Sequence, residues 1–214
     1  DQTGGAFEGL AAHTLLPVAA NLSTRGNAQR IWGLLVSGNY FSVTGVQPVL
    51  GRGILPSEDE VRGQDTVVVL GYGLWRRLGA DLEIVGRRIV LSGAPYTVVG
   101  VAPPGFFGTD RGVLAEFWAP LAMRTHLARD IAAMDANRNC TWLEMTGRLR
   151  PGILREQAVA AANVVHLRMV AEHDKNRHAE PVALFRVGYV PILQSMLNQL
   201  MAALAIVVAL LLLI

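Results

Sequence analysis

Apolar positions fall into short β-type runs over the first two thirds of the chain, then into one long helical stripe, and finally into an unbroken apolar block. Thr14 to Leu22 and Ile31 to Ser37 are apolar stretches joined by the polar segment Ser23 to Asn27, a pattern that predicts a β-hairpin. Gly38-Asn39-Tyr40-Phe41-Ser42 then turns the chain, and Gln47-Pro48 to Gly51-Arg52-Gly53 forms a loop before the acidic Glu58-Asp59-Glu60. Thr66 to Leu70 is β-branched with few polar interruptions, which predicts a strand covered on both faces. Tyr72 to Leu78 is expected as a short helix stopped by Gly79. Ile84 to Leu91 and Tyr96 to Val101 flank the turn-forming Ser92-Gly93-Ala94-Pro95, so a second hairpin is expected, ended by Pro103-Pro104-Gly105. From Gly105 to Asn139, which includes Phe117-Trp118-Ala119-Pro120, no period is sustained; a strand and an irregular, partly helical excursion are expected.

The helical period emerges late. Thr141 to Leu149 predicts a strand, Pro151-Gly152 a turn, and Ile153 to His173 a helix, in which Leu154, Ala158, Ala161, Val165 and Met169 recur at three and four and form one apolar stripe. Pro181 to Val187 predicts a returning strand. Strand, long helix and strand together predict a βαβ unit with a right-handed crossover. Those three strand segments (Thr66 to Leu70, Thr141 to Leu149 and Pro181 to Val187) are expected in sheets packed by the helix.

Composition divides the chain in two. It is 51% hydrophobic and 17% charged overall, but every charged residue lies between Asp1 and Arg186, and none follows. Leu200 to Ile214 is apolar at every position and spans about 22 Å as a helix; extended back through Ile192 it passes the roughly twenty residues a bilayer core requires. The block shows no polar stripe on any face, which favours the beginning of a transmembrane helix over a buried core helix. Residues 1–190 are therefore expected to form a globular domain outside the bilayer and residues 191–214 the start of that helix. The net charge of +2 does not indicate a nucleic-acid partner, because the basic residues are scattered and only Arg76-Arg77 and Arg87-Arg88 stand together.

Candidate chemistry is sparse. Gly45 to Arg52 lacks the Lys-Ser/Thr ending and the flanking elements of a phosphate-binding loop. His166, His173 and His178 have no ligand-spaced partners and are expected to be solvated. Ser37 lacks a nucleophile elbow, and the single Cys140 lacks a histidine nearby in sequence; both are expected in packing or turn roles. Glu58-Asp59-Glu60 is expected to be a solvated loop, and Trp75, beside Arg76 and Arg77, a core residue of a short amphipathic helix. No catalytic, cofactor-binding or metal residue is assigned.

Six segments, in one order, carry a resemblance. They are Val36 to Val46 (VSGNYFSVTGV), Gly51-Arg52-Gly53, Val67 to Gly79 (VVVLGYGLWRRLG), Ile84 to Ile89 (IVGRRI), Tyr96 to Phe106 (YTVVGVAPPGF) and Gly147 to Gly152 (GRLRPG). Together they resemble the MacB-like periplasmic core domain of FtsX-type ABC-transporter permeases, most closely the duplicated orphan permeases of acidobacteria. Ser92-Gly93 replaces a common Asn-Gly turn, Asp81-Leu82 replaces Asp-Pro, and no Ser, Thr, Asp or Asn caps the long helix at Ile153. The resemblance implies an α+β fold with mixed sheets: a membrane-proximal βαβ subdomain and an inserted β-rich subdomain, followed by the truncated transmembrane helix. It implies a non-enzymatic domain on the periplasmic side of the bacterial inner membrane, with no cofactor, that relays conformational change or docks a partner. The implied partners are the membrane, a cytoplasmic ATPase subunit or domain, the other transmembrane helices of the permease and a periplasmic adaptor protein. The alternative from another class is a membrane-anchored small-ligand-binding domain without a transporter.

Overall fold

The computed structural model describes residues 5–24, 27–110, 114–133, 140–173 and 181–187. Six strands pair into a closed barrel. These strands are β2 (Val18–Thr24), β3 (Asn27–Val36), β5 (Val67–Leu70), β6 (Arg88–Leu91), β7 (Ala94–Val101) and β8 (Phe117–Pro120). Their hydrogen-bonded order runs β2-β6-β7-β5-β8-β3, and the additional pairing of β3 with β2 returns the ring to its start. Closure removes the open edges that such strands would otherwise present. The β3–β8 and β5–β7 pairs are parallel and the rest of the ring is antiparallel.

Every second residue faces the barrel interior. Val18, Ala20, Leu22, Ile31, Leu35, Val68, Leu70, Leu91, Tyr96, Val98, Phe117 and Ala119 form one buried cluster, joined by Leu74 and Trp75 of α2 (Tyr72–Arg77) and Leu127 of α3 (Arg124–Leu127). A bulge between Val68 and Val69, opposite Gly100, shifts the inward pattern of β7 by one residue, so Val101 joins Val98 in the interior. The predicted hairpins are both present, as β2–β3 and β6–β7. Ser92 and Gly93 both have positive φ, 48° and 86°, the two-residue turn whose twist suits a hairpin.

The outward residues of the same strands build a second layer. Leu34, Val36, Val69, Val99 and Trp118 pack with Tyr40 and Phe41 of α1 (Tyr40–Thr44), with Ile54 and with Ala11. Ala11 lies on β1 (Phe7–Thr14), a strand absent from the sequence expectation because FEGLAAHT neither alternates nor forms a uniform apolar run. β1 extends the sheet beyond β3, and β9 (Leu143–Leu149) extends it further, antiparallel to β1. A register shift between Phe7 and Gly9 exchanges the faces of β1. As a result Phe7 and Leu10 face the helix α5 (Arg155–His173), while Ala11 faces α1. Two further elements intervene, the two-residue β4 (Leu50–Gly51), paired with β7, and α4 (Arg129–Ala133), together with three short 3-10 turns.

The expected βαβ unit is not formed. Helix α5 occupies Arg155–His173 within the predicted span, but Pro181 to Val187 is irregular and β9 is antiparallel to its neighbour. That segment is held to α5 by side chains: Asn163 donates to the Val182 carbonyl at 3.2 Å and accepts from Val182 N at 2.8 Å, and Arg155 donates to the Leu184 carbonyl. The apolar stripe is also only partly covered. Ala158 is fully buried, Ala161 and Val165 are half-buried, and Leu154 and Met169 are 63% and 53% exposed. Periodicity placed these residues on one face but could not state how much partner surface that face meets. The partner is a two-strand extension offering Ala6, Phe7, Leu10 and Leu149, too narrow for the whole stripe. Strand β5 lies in the barrel ring and packs with β7 and β8, so α5 does not cover it. No helix among the described residues is long and apolar enough to cross a membrane; the expected membrane helix lies outside the described residues.

Candidate functional site

The segment Val36 to Val43 packs against a buried polar group centred on His13. Gly38 is required by a close approach, since a Cβ there would lie 2.5 Å from the Leu55 carbonyl oxygen and from Pro56 Cα. Ser37 Oγ accepts from Ala12 N at 2.9 Å and donates to Asn39 Oδ1 at 2.8 Å, while Asn39 Nδ2 donates to the Leu10 carbonyl at 2.8 Å. These bonds fasten α1 across β1. The next residue, Tyr40, is fully buried, with its ring edge-on to the His13 ring at 5.8 Å between centroids.

His13 is fully buried, and its tautomer follows from its neighbours. Nδ1 lies 3.1 Å from the Thr14 carbonyl oxygen, which can only accept, so Nδ1 carries the proton. Nε2 faces Thr109 Oγ1 at 3.2 Å, Thr146 Oγ1 at 3.4 Å and Asp110 Oδ2 at 3.6 Å. Tyr40 donates its hydroxyl to Thr109 Oγ1 at 3.3 Å. Glu144 is the residue opposite His13 in the β1–β9 ladder, and one ligand atom from each of His13, Asp110 and Glu144 lies within 4.8 Å of the other two. Burial raises the Asp110 carboxyl above its ordinary value against the pull of His13. Glu144 is raised by burial and by the charge of Asp110, again opposed by His13. Burial likewise pushes the Tyr40 hydroxyl up to about 12.

An open groove of about 420 Å³ lies beside this cluster, lined by Val43, Val46, Phe106, Thr109, Thr146 and Arg148 among others. The arrangement is ill-suited to nucleophilic catalysis. Thr109 is 5% exposed, and the imidazole next to it is oriented by a backbone carbonyl, with its carboxyl neighbours on the same nitrogen as the hydroxyls. It is a set of convergent oxygen and nitrogen donors.

The residues singled out from sequence are dispersed and mostly structural. Trp75 is buried and donates its indole N–H to the Asp81 carbonyl at 2.9 Å; Arg77 pairs with Glu116. The acidic loop is not simply solvated. Glu58 pairs with Arg52 at 2.6 Å and accepts from Leu55 N, and Asp59 accepts from Ala122 N at 2.7 Å and Gly38 N at 3.3 Å. Burial alone would raise Glu58, but Arg52 and the Leu55 N–H outweigh it and hold the carboxyl below its ordinary value. Asp59, more deeply set, is raised by burial. Cys140 is free and half-buried, and His166 sits half-buried on α5. The His173 side chain and His178 lie outside the described residues. The helix cap sought at Ile153 is supplied in reverse: Gln157 accepts from Leu154 N at 2.9 Å. His13, Asp110 and Glu144 were not singled out, because 97 and 34 residues separate them along the chain and no local spacing links them.

The model of the MacB-like periplasmic core domain family matches residues 8–164. The chain belongs to that family. Two solved structures share the fold. One is a domain ascribed to a permease protein from Porphyromonas gingivalis, with 17% identity, a TM-score of 0.53, and 87% of this chain and 81% of that chain covered. The other is the extracellular domain of the ABC-type transporter YknZ from Gram-positive bacteria, with 12% identity, a TM-score of 0.55, and 83% and 82% covered. No curated protein matches. Within this MacB-like domain, the motif residues Ser37, Gly38, Asn39 and Tyr40 are the ones that fasten α1 and roof His13.

Proposed function

We propose that this MacB-like domain is the extracytoplasmic part of an export-type ABC-transporter permease, at the periplasmic face of the bacterial inner membrane. In this reading it carries no catalysis and relays conformational change between the membrane helices and a partner on its outer surface. An ATPase subunit or domain on the cytoplasmic side supplies the cycle, the other helices of the permease complete the membrane part, and a periplasmic adaptor is the outward partner. The family match over residues 8–164 carries the reading. The structure supports it at one place. Pro181 to Val187, which precedes the uncharged tail, is tied to α5 through Arg155 and Asn163, and α5 rests on β1 and β9 through Ala158. Movement of the tail therefore reaches the sheet through short, bonded contacts, whereas a Gly/Ser-rich linker would let its ends move independently. The two subdomains and the boundary at residue 190 belong to this same proposal.

Inserting about ten flexible Gly/Ser residues after Val187 in the intact permease tests it. Transport should uncouple from ATP hydrolysis while the domain stays folded. Coupled transport at the original rate would refute the relay and leave a passive docking or ligand-binding domain, for which the open groove beside Thr109 and Thr146 is the place to look.

A further inference from the structure

Three chain segments distant in sequence converge on one nitrogen of His13. His13 belongs to β1, Asp110 follows the buried Thr109 in the connection leading to β8, and Glu144 belongs to β9. Their donor atoms lie within 4.8 Å of one another, and His13 Nε2 stands 3.6 Å from Asp110 Oδ2.

Three features distinguish this group from a chance meeting of polar side chains. First, the imidazole is oriented as a ligand: Nδ1–H is engaged by the Thr14 carbonyl, which leaves the Nε2 lone pair directed at the carboxyls and hydroxyls. Metal-binding histidines are held this way, with the second ring nitrogen donating to a carbonyl or carboxylate. Second, Asp110 and Glu144 bring two carboxyls beside the buried imidazole, and among the described residues neither accepts a protein hydrogen bond within 3.5 Å, so both keep oxygens available to a cation. Third, the site is anchored yet reachable: His13 is fully buried, Thr109 is 5% exposed, and the Asp110 side chain keeps 11% of its surface open to solvent.

We propose that His13 Nε2 and one carboxylate oxygen each from Asp110 and Glu144 form a Zn²⁺ site, with the Thr109 or Thr146 hydroxyl or a water in the fourth position. One imidazole and two carboxylates suit zinc, whereas Ca²⁺ and Mg²⁺ favour all-oxygen sets. Tetrahedral zinc with bonds of about 2.0 to 2.2 Å sets neighbouring donors roughly 3.4 Å apart, so donors now up to 4.8 Å apart must approach by up to about 1.4 Å, a rotamer adjustment of the two carboxyls. The ion would tie β9, and through it α5, to β1 and to the connection entering β8. It would fasten the extension of the sheet to the barrel, a role that does not depend on the relay reading.

The test uses the full 214-residue chain without a histidine tag, in detergent, stripped with a chelator and titrated with Zn²⁺ by calorimetry. One equivalent should bind saturably with Kd of about 10 µM or tighter, and a hundredfold excess over Kd should raise the thermal midpoint by about 5 to 10 °C. Glu144→Gln and Asp110→Asn keep side-chain shape while removing a charged ligand; each should weaken binding at least about tenfold. Both variants should melt cooperatively without zinc. Should either fail to fold, the other variant and the tetrahedral absorption bands of the Co²⁺-loaded parent chain carry the same test. No saturable binding to the parent chain below about 100 µM overturns the proposal. Equal affinity in both variants does so too, because it would place the ion on the helix histidines, and so does Ca²⁺ or Mg²⁺ binding as tight as Zn²⁺.

Discussion

Replacing Asn39 by alanine tests whether the most recognisable motif of the chain acts as a fastener. Asn39 makes two side-chain hydrogen bonds, donating to the Leu10 carbonyl at 2.8 Å and accepting from Ser37 Oγ at 2.8 Å. Each is worth about 1 kcal/mol net, and a half-buried site recovers part of the loss through water, so the expected cost is about 2 kcal/mol. For a domain of this size that lowers the thermal midpoint by roughly 4 to 8 °C. Urea unfolding followed by tryptophan fluorescence reads it, since Trp118 is fully buried in the layer that α1 completes. Asn39→Asp separates the two bonds. Its carboxylate still accepts from Ser37 but opposes the Leu10 carbonyl with a negative oxygen at neutral pH, and only its protonated form can donate there. Its folded-state pKa should therefore rise above the ordinary Asp value of about 3.9, and the variant should regain stability as pH falls through that raised value. A cost below about 0.5 kcal/mol for Asn39→Ala, or no acid recovery in Asn39→Asp, would refute the fastener.

Gly33 lies inside the barrel where a Cβ would fall 2.5 Å from the Phe117 ring, so Gly33→Ala should cost about 2 kcal/mol or more in chemical unfolding. Phe117→Leu should relieve part of that cost in a double-mutant cycle. Ser92→Asn should stabilise by about 0.5 kcal/mol, because Asn tolerates the positive φ of 48° better than Ser; a destabilised variant would contradict the turn assignment. Glu58 is held below its ordinary value of 4.5, so the parent chain's advantage over Glu58→Gln should be full above pH 4.5 and vanish as pH falls through the lowered value, measured by paired melts. A chain ending at Arg186 should remain monomeric in plain buffer by light scattering, while the 214-residue chain should require detergent; the reverse would argue that the apolar tail is buried in the domain.

Local rules were sufficient wherever an element is governed by its own residues. The β2–β3 and β6–β7 hairpins, the short helix α2 and the helical character of α5 all follow from turn chemistry and periodicity. The uncharged tail is equally plain in composition. Three properties were decided only when distant segments met. β1 is a strand because β3 and β9 supply its hydrogen bonds, although FEGLAAHT alternates poorly. The stripe on α5 is half exposed because the sheet beneath it is only two strands wide, a dimension that periodicity does not encode. The cluster at His13 has no spacing signature, since its members come from positions 13, 110 and 144 and are joined by strand register and by the loop entering β8. Periodicity reports which way a side chain points within its own element; which charge or ring it meets there depends on pairing between strands, and that is a property of the folded chain alone.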